Sequence, residues 1–375
     1  MTHKVADERY MAAAIRLANW NVGLTAQNPS VGAIIVSKDN EKIVGHGVTA
    51  PSGRPHAELQ ALEMAGSQAQ DGTAYVTLEP CAHYGKTPPC AYALVNAGIK
   101  RVVIAFLDPD KRVNGQGVAI LENAGISITK HIQTHQAFET LSAYLIRKIY
   151  HRPEVTLKMA VSADGGIGLI GKGHVKISNH MSHAYNHLLR ARNDAIMIGV
   201  KTIIADNPEL TCRLPGLSNR SPARIIVDPH LRIPLGSHII KTAHEIPTYV
   251  FSYEESSSSK VANILKKKDV KLFFFPKKDN KIMPEDMLSI LSSLDISSLL
   301  IEGGTYTAYS FLNDHLVDKI NLFQSNLNLG GKLIKAPDFD NILIDFKKIN
   351  EARFDEDCYS EWRCDTKCLR ELSRI

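Results

Sequence analysis

Apolar residues recur along the chain in two rhythms. Near the start, Val5, Met11, Ala12, Ile15 and Ala18 fall at roughly helical intervals, residues 31–36 form a short apolar run, and Leu59, Leu62 and Ala65 repeat with helical spacing up to Gly66. Thr73–Leu78 and Arg101–Phe106 read as buried strands, each preceded by a helical pattern that stops at a glycine, Gly66 or Gly98. One more helix (117–124), a strand (125–128) and a helix (135–148) complete the first part, with a polar, glycine-bearing loop before them at 108–117. Strand and helix alternate, so a layered α/β domain is predicted. Proline and a shift to polar residues at Tyr150-His151-Arg152-Pro153 mark its end, dividing the chain into 1–149 and 150–375.

The second part opens on an apolar strand, 155–161, that runs into Ser162-Ala163-Asp164-Gly165. Over 180–192, Met181, Ala184, Tyr185, Leu188 and Leu189 follow i, i+3, i+4, i+7, i+8, which predicts a helix burying that stripe. Further apolar strands are predicted at 194–199, 224–228, 248–251, 271–275 and 298–301. The serine- and lysine-rich stretch 256–268 reads as solvated surface.

Composition narrows the class. With 375 residues, 44% hydrophobic and 22% charged, the chain is long enough for two domains with their own cores. No run of eighteen apolar residues occurs and the N-terminus has no secretory pattern, so a cytoplasmic protein without a membrane partner is expected. The formal charge of +5 is spread out. It suits small phosphorylated ligands and gives no clustered basic face for nucleic acid. Six cysteines are too few for a disulfide scaffold. Cys358, Cys364 and Cys368 cluster without a histidine among them and read as free thiols.

The strongest chemistry lies in two short stretches, His56-Ala57-Glu58 and the segment from Pro80-Cys81 to Cys90. They supply one imidazole, two thiols and a carboxylate that need not bind metal. Three protein ligands leave zinc a fourth corner, the mark of catalytic zinc. His56 and Glu58 fall in a first helical turn after Gly53-Arg54-Pro55, and Cys90 opens a helix after Pro88-Pro89, where the positive helix end favours thiolate. Each half alone also fits a closed structural zinc site or inert buried thiols. Together they match the order histidine, glutamate, proline-cysteine, cysteine of zinc deaminases, although the gap between the cysteines is longer than the usual two residues. Zinc lowers the pKa of water bound to it from 15.7 to about 7, and the carboxylate of Glu58 would relay protons.

Residues 77–90, Thr-Leu-Glu-Pro-Cys-Ala-His-Tyr-Gly-Lys-Thr-Pro-Pro-Cys, resemble the zinc loop of the bifunctional riboflavin-biosynthesis deaminase/reductase family, and His56-Ala57-Glu58 resembles the other half of that site. The resemblance implies an α/β architecture with an N-terminal cytidine-deaminase-like three-layer domain and a C-terminal dihydrofolate-reductase-like domain. It implies Zn2+, one per chain, held by His56, Cys81 and Cys90 with Glu58 catalytic, and NADPH as second cofactor. The expected reactions are hydrolytic removal of the C2 amino group of 2,5-diamino-6-(5-phosphoribosylamino)pyrimidin-4(3H)-one, then reduction of ribosyl to ribityl, in a homo-oligomer. Asn28, in Asn28-Pro29-Ser30-Val31-Gly32, would contact the substrate ring, although Asn-Pro also simply starts a turn; His83 and Lys86 would contact the same substrate.

In the second domain, the strand ending in Ser162-Ala163-Asp164-Gly165 resembles the K-x-A-x-S-x-D-G opening of the family's reductase half and puts Ala160 at the cofactor. By the same resemblance Thr202, Asp206, Gly304, Thr305 and Tyr306 face the dinucleotide, and Arg190, Leu210, Arg213 and Glu302 the ribose-phosphate substrate. Glu302-Gly303-Gly304 is also, on its own, a plain tight turn that can open a helix toward an anion. The sequence departs from the family where S-x-W-I-T becomes His174-Val175-Lys176-Ile177-Ser178, and where an Ala-Arg pair becomes Ser182-His183. Lys176 and His174 are carried over as cofactor and substrate contacts. The alternative is a deaminase whose reductase-like domain is catalytically impaired.

Overall fold

The computed structural model describes residues 3–85, 88–278 and 281–365. The chain folds as two compact units, the first ending at His151 and the second beginning at Arg152, two residues past the expected junction.

The first unit contains α1 (His3–Ala18), β1 (Gly32–Val36), β2 (Ile43–Val48), α2 (Ala57–Ala65), β3 (Thr73–Leu78), α3 (Cys90–Asn96), β4 (Arg101–Phe106), α4 (Gln116–Asn123), β5 (Ser127–Lys130) and α5 (Thr134–Tyr150). Its sheet has the order β2-β1-β3-β4-β5, with β1 antiparallel to both neighbours and β3, β4 and β5 parallel. β2 is a strand that apolar patterning does not predict, because two glycines and an exposed histidine interrupt it. Those glycines make the packing. A Cβ on Gly45 would stand 2.0 Å from the Ala61 carbonyl oxygen, and one on Gly47 2.2 Å from that of Ala57, so the backbone of α2 rests directly on β2. On the opposite face α1 comes as close, since a Cβ on Gly32 would meet the Ala14 carbonyl at 1.9 Å. This contact fixes the N-terminus of α2. The end of β3 is fixed by Glu79, whose buried carboxylate accepts the amides of Asp108 (3.3 Å), Gly115 (3.1 Å) and Val118 (3.1 Å).

The second unit contains β6 (Glu154–Val161), β7 (Gly166–Leu169), α6 (His180–Ala191), β8 (Ala195–Gly199), α7 (Val200–Asp206), β9 (Ala223–Val227), α8 (His238–Lys241), β10 (Thr248–Tyr253), α9 (Lys260–Lys266), β11 (Val270–Phe275), α10 (Pro284–Ser293), β12 (Ser298–Ile301), α11 (Thr305–Asn313), β13 (Lys319–Gln324), β14 (Leu333–Lys335), α12 (Phe339–Ile342), β15 (Phe346–Phe354) and β16 (Asp357–Cys364). Nine strands form one sheet in the order β11-β10-β9-β8-β12-β6-β13-β16-β15. β11 to β13 are parallel; β16 and β15 add antiparallel. β7 and β14 pair separately. Alternate residues of the parallel strands feed two cores, Ala195 and Met197 on one face, Ile196 and Ile198 on the other. Arg152, at the entrance, donates to both carboxylate oxygens of Asp318 (2.6 and 2.7 Å), which also accepts the Val155 amide.

Two expectations are corrected here. The stretch 256–268 is not all solvated, because α9 inserts Ala262 and Leu265 into the core. In α6 the apolar stripe is buried only in part: Leu189 is buried and Tyr185 and Leu188 half-buried, but Met181 is 42% exposed and Ala184 exposed, while the polar Ser182, Asn186 and Arg190 are buried as well. A polar face is tolerated inside because its donors have carboxylate partners. Ser182 donates to Asp357 (2.6 Å), and Asn186 and Arg190 donate to Glu302.

The strand order reverses between β8 and β12, a switch point of the kind that leaves a crevice at the carboxyl ends of the strands. α7 leaves from one side of it, and the turn Glu302-Gly303-Gly304 leads into α11 from the other.

Candidate functional sites

In the first unit, His56 is the residue preceding α2, Glu58 sits in its first turn, Cys81 follows β3, and Cys90 begins α3. The ligand atoms of His56, Cys81 and Cys90 all lie within 4.8 Å of one another. His56 Nδ1 stands 3.7 Å from Cys81 Sγ and 3.4 Å from Cys90 Sγ. Tetrahedral zinc, with Zn–S of about 2.3 Å and Zn–N of about 2.0–2.1 Å, requires N···S of about 3.6 Å. The donor set and its spacing therefore fit zinc.

Electrostatics agree. The hydrogen bond from Cys90, with a further one to His56, pulls the Cys81 thiol down to about 4 against its burial, while the Cys90 thiol is pushed up by Cys81 and by burial. Cys81 is thereby the readier of the two to be thiolate, the form that a metal needs. His56 is raised by its contact with Cys81. Glu58 is buried and its carboxyl is raised by burial, against the pull of His56.

The cavity containing these groups is also lined by Asn28, His83, Asp108 and Tyr144. Asn28 Nδ2 donates to Gly53 O (3.3 Å), which fixes the amide. Nδ1 of His83 is buried, with no hydrogen-bond partner among the described residues. Asp108 is the residue that patterning did not reveal: an acid in a polar loop, buried under the Tyr144 hydroxyl, which donates to both of its oxygens. Burial raises Asp108 to about 6. Lys86 lies outside the described residues.

In the second unit, Glu302 extends from β12 into the crevice. It accepts from Arg190 Nε (2.8 Å) and Nη2 (2.7 Å) and from Asn186 (3.1 Å). Its burial opposes the charge, but the Arg190 guanidinium, helped by Lys158 and Asn186, wins and holds the Glu302 carboxyl at about 2. Lys158, halfway along β6, has its ammonium depressed by burial against the pull of Glu302, and lies 5.3 Å over the Phe323 ring. Its signal in the sequence was a lone lysine inside an apolar strand. Arg190 is buried. Its remaining donor, Nη1, bonds Thr211 O (3.0 Å).

Around the glycine turn, Gly303 and Gly304 both have positive φ, and a Cβ on Gly303 would lie 3.4 Å from Thr202 Oγ1. Thr305 opens α11 and Tyr306 is 65% exposed. Asp206, at the end of α7, is raised by burial against the pull of His174. Ala160 packs against the cluster of Leu189, Leu300, Phe323 and Tyr359. Leu210 is buried with φ of 57°, and Arg213 pairs with Glu209 (2.8 Å). His174 and Lys176 are exposed on the segment before α6. Cys358 and Cys364 lie on β16, and Cys368 lies outside the described residues.

Residues 153–357 match the RibD C-terminal domain, and residues 4–106 match the cytidine and deoxycytidylate deaminase zinc-binding region. The chain is 39% identical over 317 residues to the riboflavin biosynthesis protein RibD of Aquifex aeolicus, covering 84% of this chain and 86% of that protein. It belongs to the RibD family. RibD of Escherichia coli is 33% identical, with 89% and 94% covered. Among solved structures, Acinetobacter baumannii RibD (form 1) has a TM-score of 0.84 at 32% identity, covering 97% of this chain and 100% of that one. The diaminohydroxyphosphoribosylaminopyrimidine deaminase/5-amino-6-(5-phosphoribosylamino)uracil reductase of Thermotoga maritima has a TM-score of 0.83 at 30% identity, with 96% and 99% covered.

The RibD architecture, a cytidine-deaminase-like unit followed by a dihydrofolate-reductase-like one, is thus present in full. The departures from the family at His174 and Lys176 lie on an exposed segment, whereas Glu302, Arg190 and Lys158 act on one another. An impaired reductase half is accordingly not favoured. Among the described residues, no helix is long and apolar enough to cross a membrane.

Proposed function

We propose that this RibD chain deaminates 2,5-diamino-6-(5-phosphoribosylamino)pyrimidin-4(3H)-one in its first unit and, in its second, reduces the ribosyl group of the product to ribityl with NADPH. The observation that carries the first step is the His56, Cys81 and Cys90 cluster with Glu58 buried beside it. When bound there, zinc supplies the acidity that makes water nucleophilic at neutral pH. Glu58, its proton affinity raised by burial, accepts the proton of the attacking water and delivers it toward the departing ammonia. The fixed amide of Asn28 and Nδ1 of His83, which has no partner among the described residues, are suited to hold the pyrimidine edge. Lys86 is kept as a contact on resemblance alone.

For the second step, NADPH supplies hydride to C1′ of the sugar. Gly303, Gly304, Thr305, Tyr306, Thr202 and Asp206 border the crevice that would take the dinucleotide, with Ala160 and Lys176 toward the nicotinamide. Glu302 stays ionised beside Arg190, whereas burial lowers the proton affinity of the Lys158 ammonium, so of the two Lys158 is the group suited to give a proton. His174, Leu210 and Arg213 complete the substrate side. NADPH and a phosphorylated intermediate support a cytoplasmic location for both reactions.

Incubating zinc-loaded protein with the substrate tests both steps: ammonia is expected first, then loss of NADPH absorbance at 340 nm. Ammonia without NADPH oxidation would overturn the reductase assignment, and no ammonia would overturn the deaminase assignment.

A further inference from the structure

Four basic side chains, Arg54, Arg112, Arg147 and Lys148, line the cavity that also contains His56, Cys81 and Glu58. Two of them, which the chemistry described so far does not use, converge on one carboxylate. Asp110 accepts from Arg112 Nε at 3.0 Å and Nη2 at 2.7 Å, and from Lys148 Nζ at 2.9 Å. The carboxylate is 10% exposed, whereas the side chain of Arg112 is 62% and that of Lys148 30% exposed. The anchor is therefore buried and the cations stand forward of it. The Nη1 edge of the guanidinium and two of the three ammonium protons take no part in these bonds.

Two cations on one carboxylate leave a net positive charge, which a clamp between the 108–115 loop and α5 does not require. The neighbouring acids Glu79 and Asp108 take their hydrogen bonds elsewhere. Glu79 is engaged by three backbone amides, and Asp108 by the Tyr144 hydroxyl and the Asp110 amide. A planar fork beside a point charge matches the three terminal oxygens of a phosphate monoester.

We infer that Arg112 and Lys148 receive the phosphate group of the deaminase substrate, with Asp110 as the positioning residue that holds both cations in place. The inference rests on the deaminase reading and deepens it. It makes the first step selective for a phosphorylated pyrimidine riboside over its unphosphorylated counterpart, through residues on the loop before α4 and on α5, outside the zinc loop.

The test is steady-state ammonia release by Arg112→Ala, Lys148→Ala and the double variant, with the phosphorylated substrate and with its dephosphorylated counterpart, alongside inhibition by inorganic phosphate. The expected result is a KM for the phosphorylated substrate raised about tenfold for each lost charge-assisted contact. kcat, zinc content and the KM for the dephosphorylated compound should stay unchanged, and inhibition by phosphate should weaken. Asp110→Asn separates position from charge: it makes the cluster more positive, so a raised KM supports fixed geometry and a lowered KM overturns the positioning role. Should the alanine variants lower melting temperature, zinc content or kcat while leaving KM for both compounds as it was, the pair is a loop clamp and the inference fails. Arg112→Gln and Lys148→Gln repeat the measurement if alanine prevents folding. Absence of ammonia release by the unaltered protein would overturn the deaminase reading itself, a separate outcome.

Discussion

Glu58 and Glu302 are both carboxyls withdrawn from water, and their neighbours send them in opposite directions. Burial raises Glu58, which suits a proton carrier. Glu58→Gln keeps the shape and removes the proton acceptor, so zinc content should stay at one per chain while ammonia release falls by about 10²- to 10⁴-fold, measured by metal analysis and a coupled ammonia assay. Glu302 is held at about 2 by Arg190, below its ordinary 4.5. A depressed carboxyl stabilises the fold fully above its unfolded value, and this contribution is lost as pH falls from about 4.5 towards 2. Glu302→Gln should abolish that acid sensitivity in denaturant melts. It should also cost about 3–5 kcal/mol at neutral pH by leaving the buried Arg190 without a counter-charge, and stop NADPH oxidation while sparing ammonia release. Lys158→Met should likewise stop NADPH oxidation alone, because its site lies in the second unit.

At the scale of elements, the clearest dependence is that of α2 on the two glycines beneath it. Gly47→Ala forces a methyl against the Ala57 carbonyl one residue from His56, and should lower the melting temperature and the zinc retained; Gly236→Ala, with nothing within 4 Å, should change neither. These glycines also explain what could be read in advance. Runs such as Thr73–Leu78 and Ala195–Gly199 announce themselves because both faces are buried. β2 does not, since its partner is a helix backbone that excludes side chains. β15 escapes for a different reason: it is a largely exposed edge whose lysines and glutamate break any apolar rhythm. In α6 the predicted stripe is buried only in part and a polar stripe is buried beside it, because hydrophobicity cannot announce that Asn186 and Arg190 meet Glu302 from 116 and 112 residues away. The zinc ligands were legible because their chemistry is carried by residue type and order. Asp108 and Lys158 acquire theirs only from burial.

For the whole molecule, two chemistries sit on one chain, with metal needed by one alone. Chelation should end ammonia release while leaving oxidation of NADPH intact when the deaminated intermediate is supplied directly, followed at 340 nm. The seam between the units also sets where the chain can be cut. Arg152, the opening residue of the second unit, grips Asp318 with both arms of its guanidinium, although 166 residues separate them in the chain. A reductase fragment beginning at Arg152 keeps its own clasp. One beginning at Pro153 would leave the Asp318 carboxylate without that counter-ion where β13 begins beside β6, and should be the poorer-folding excision product by a single amino acid.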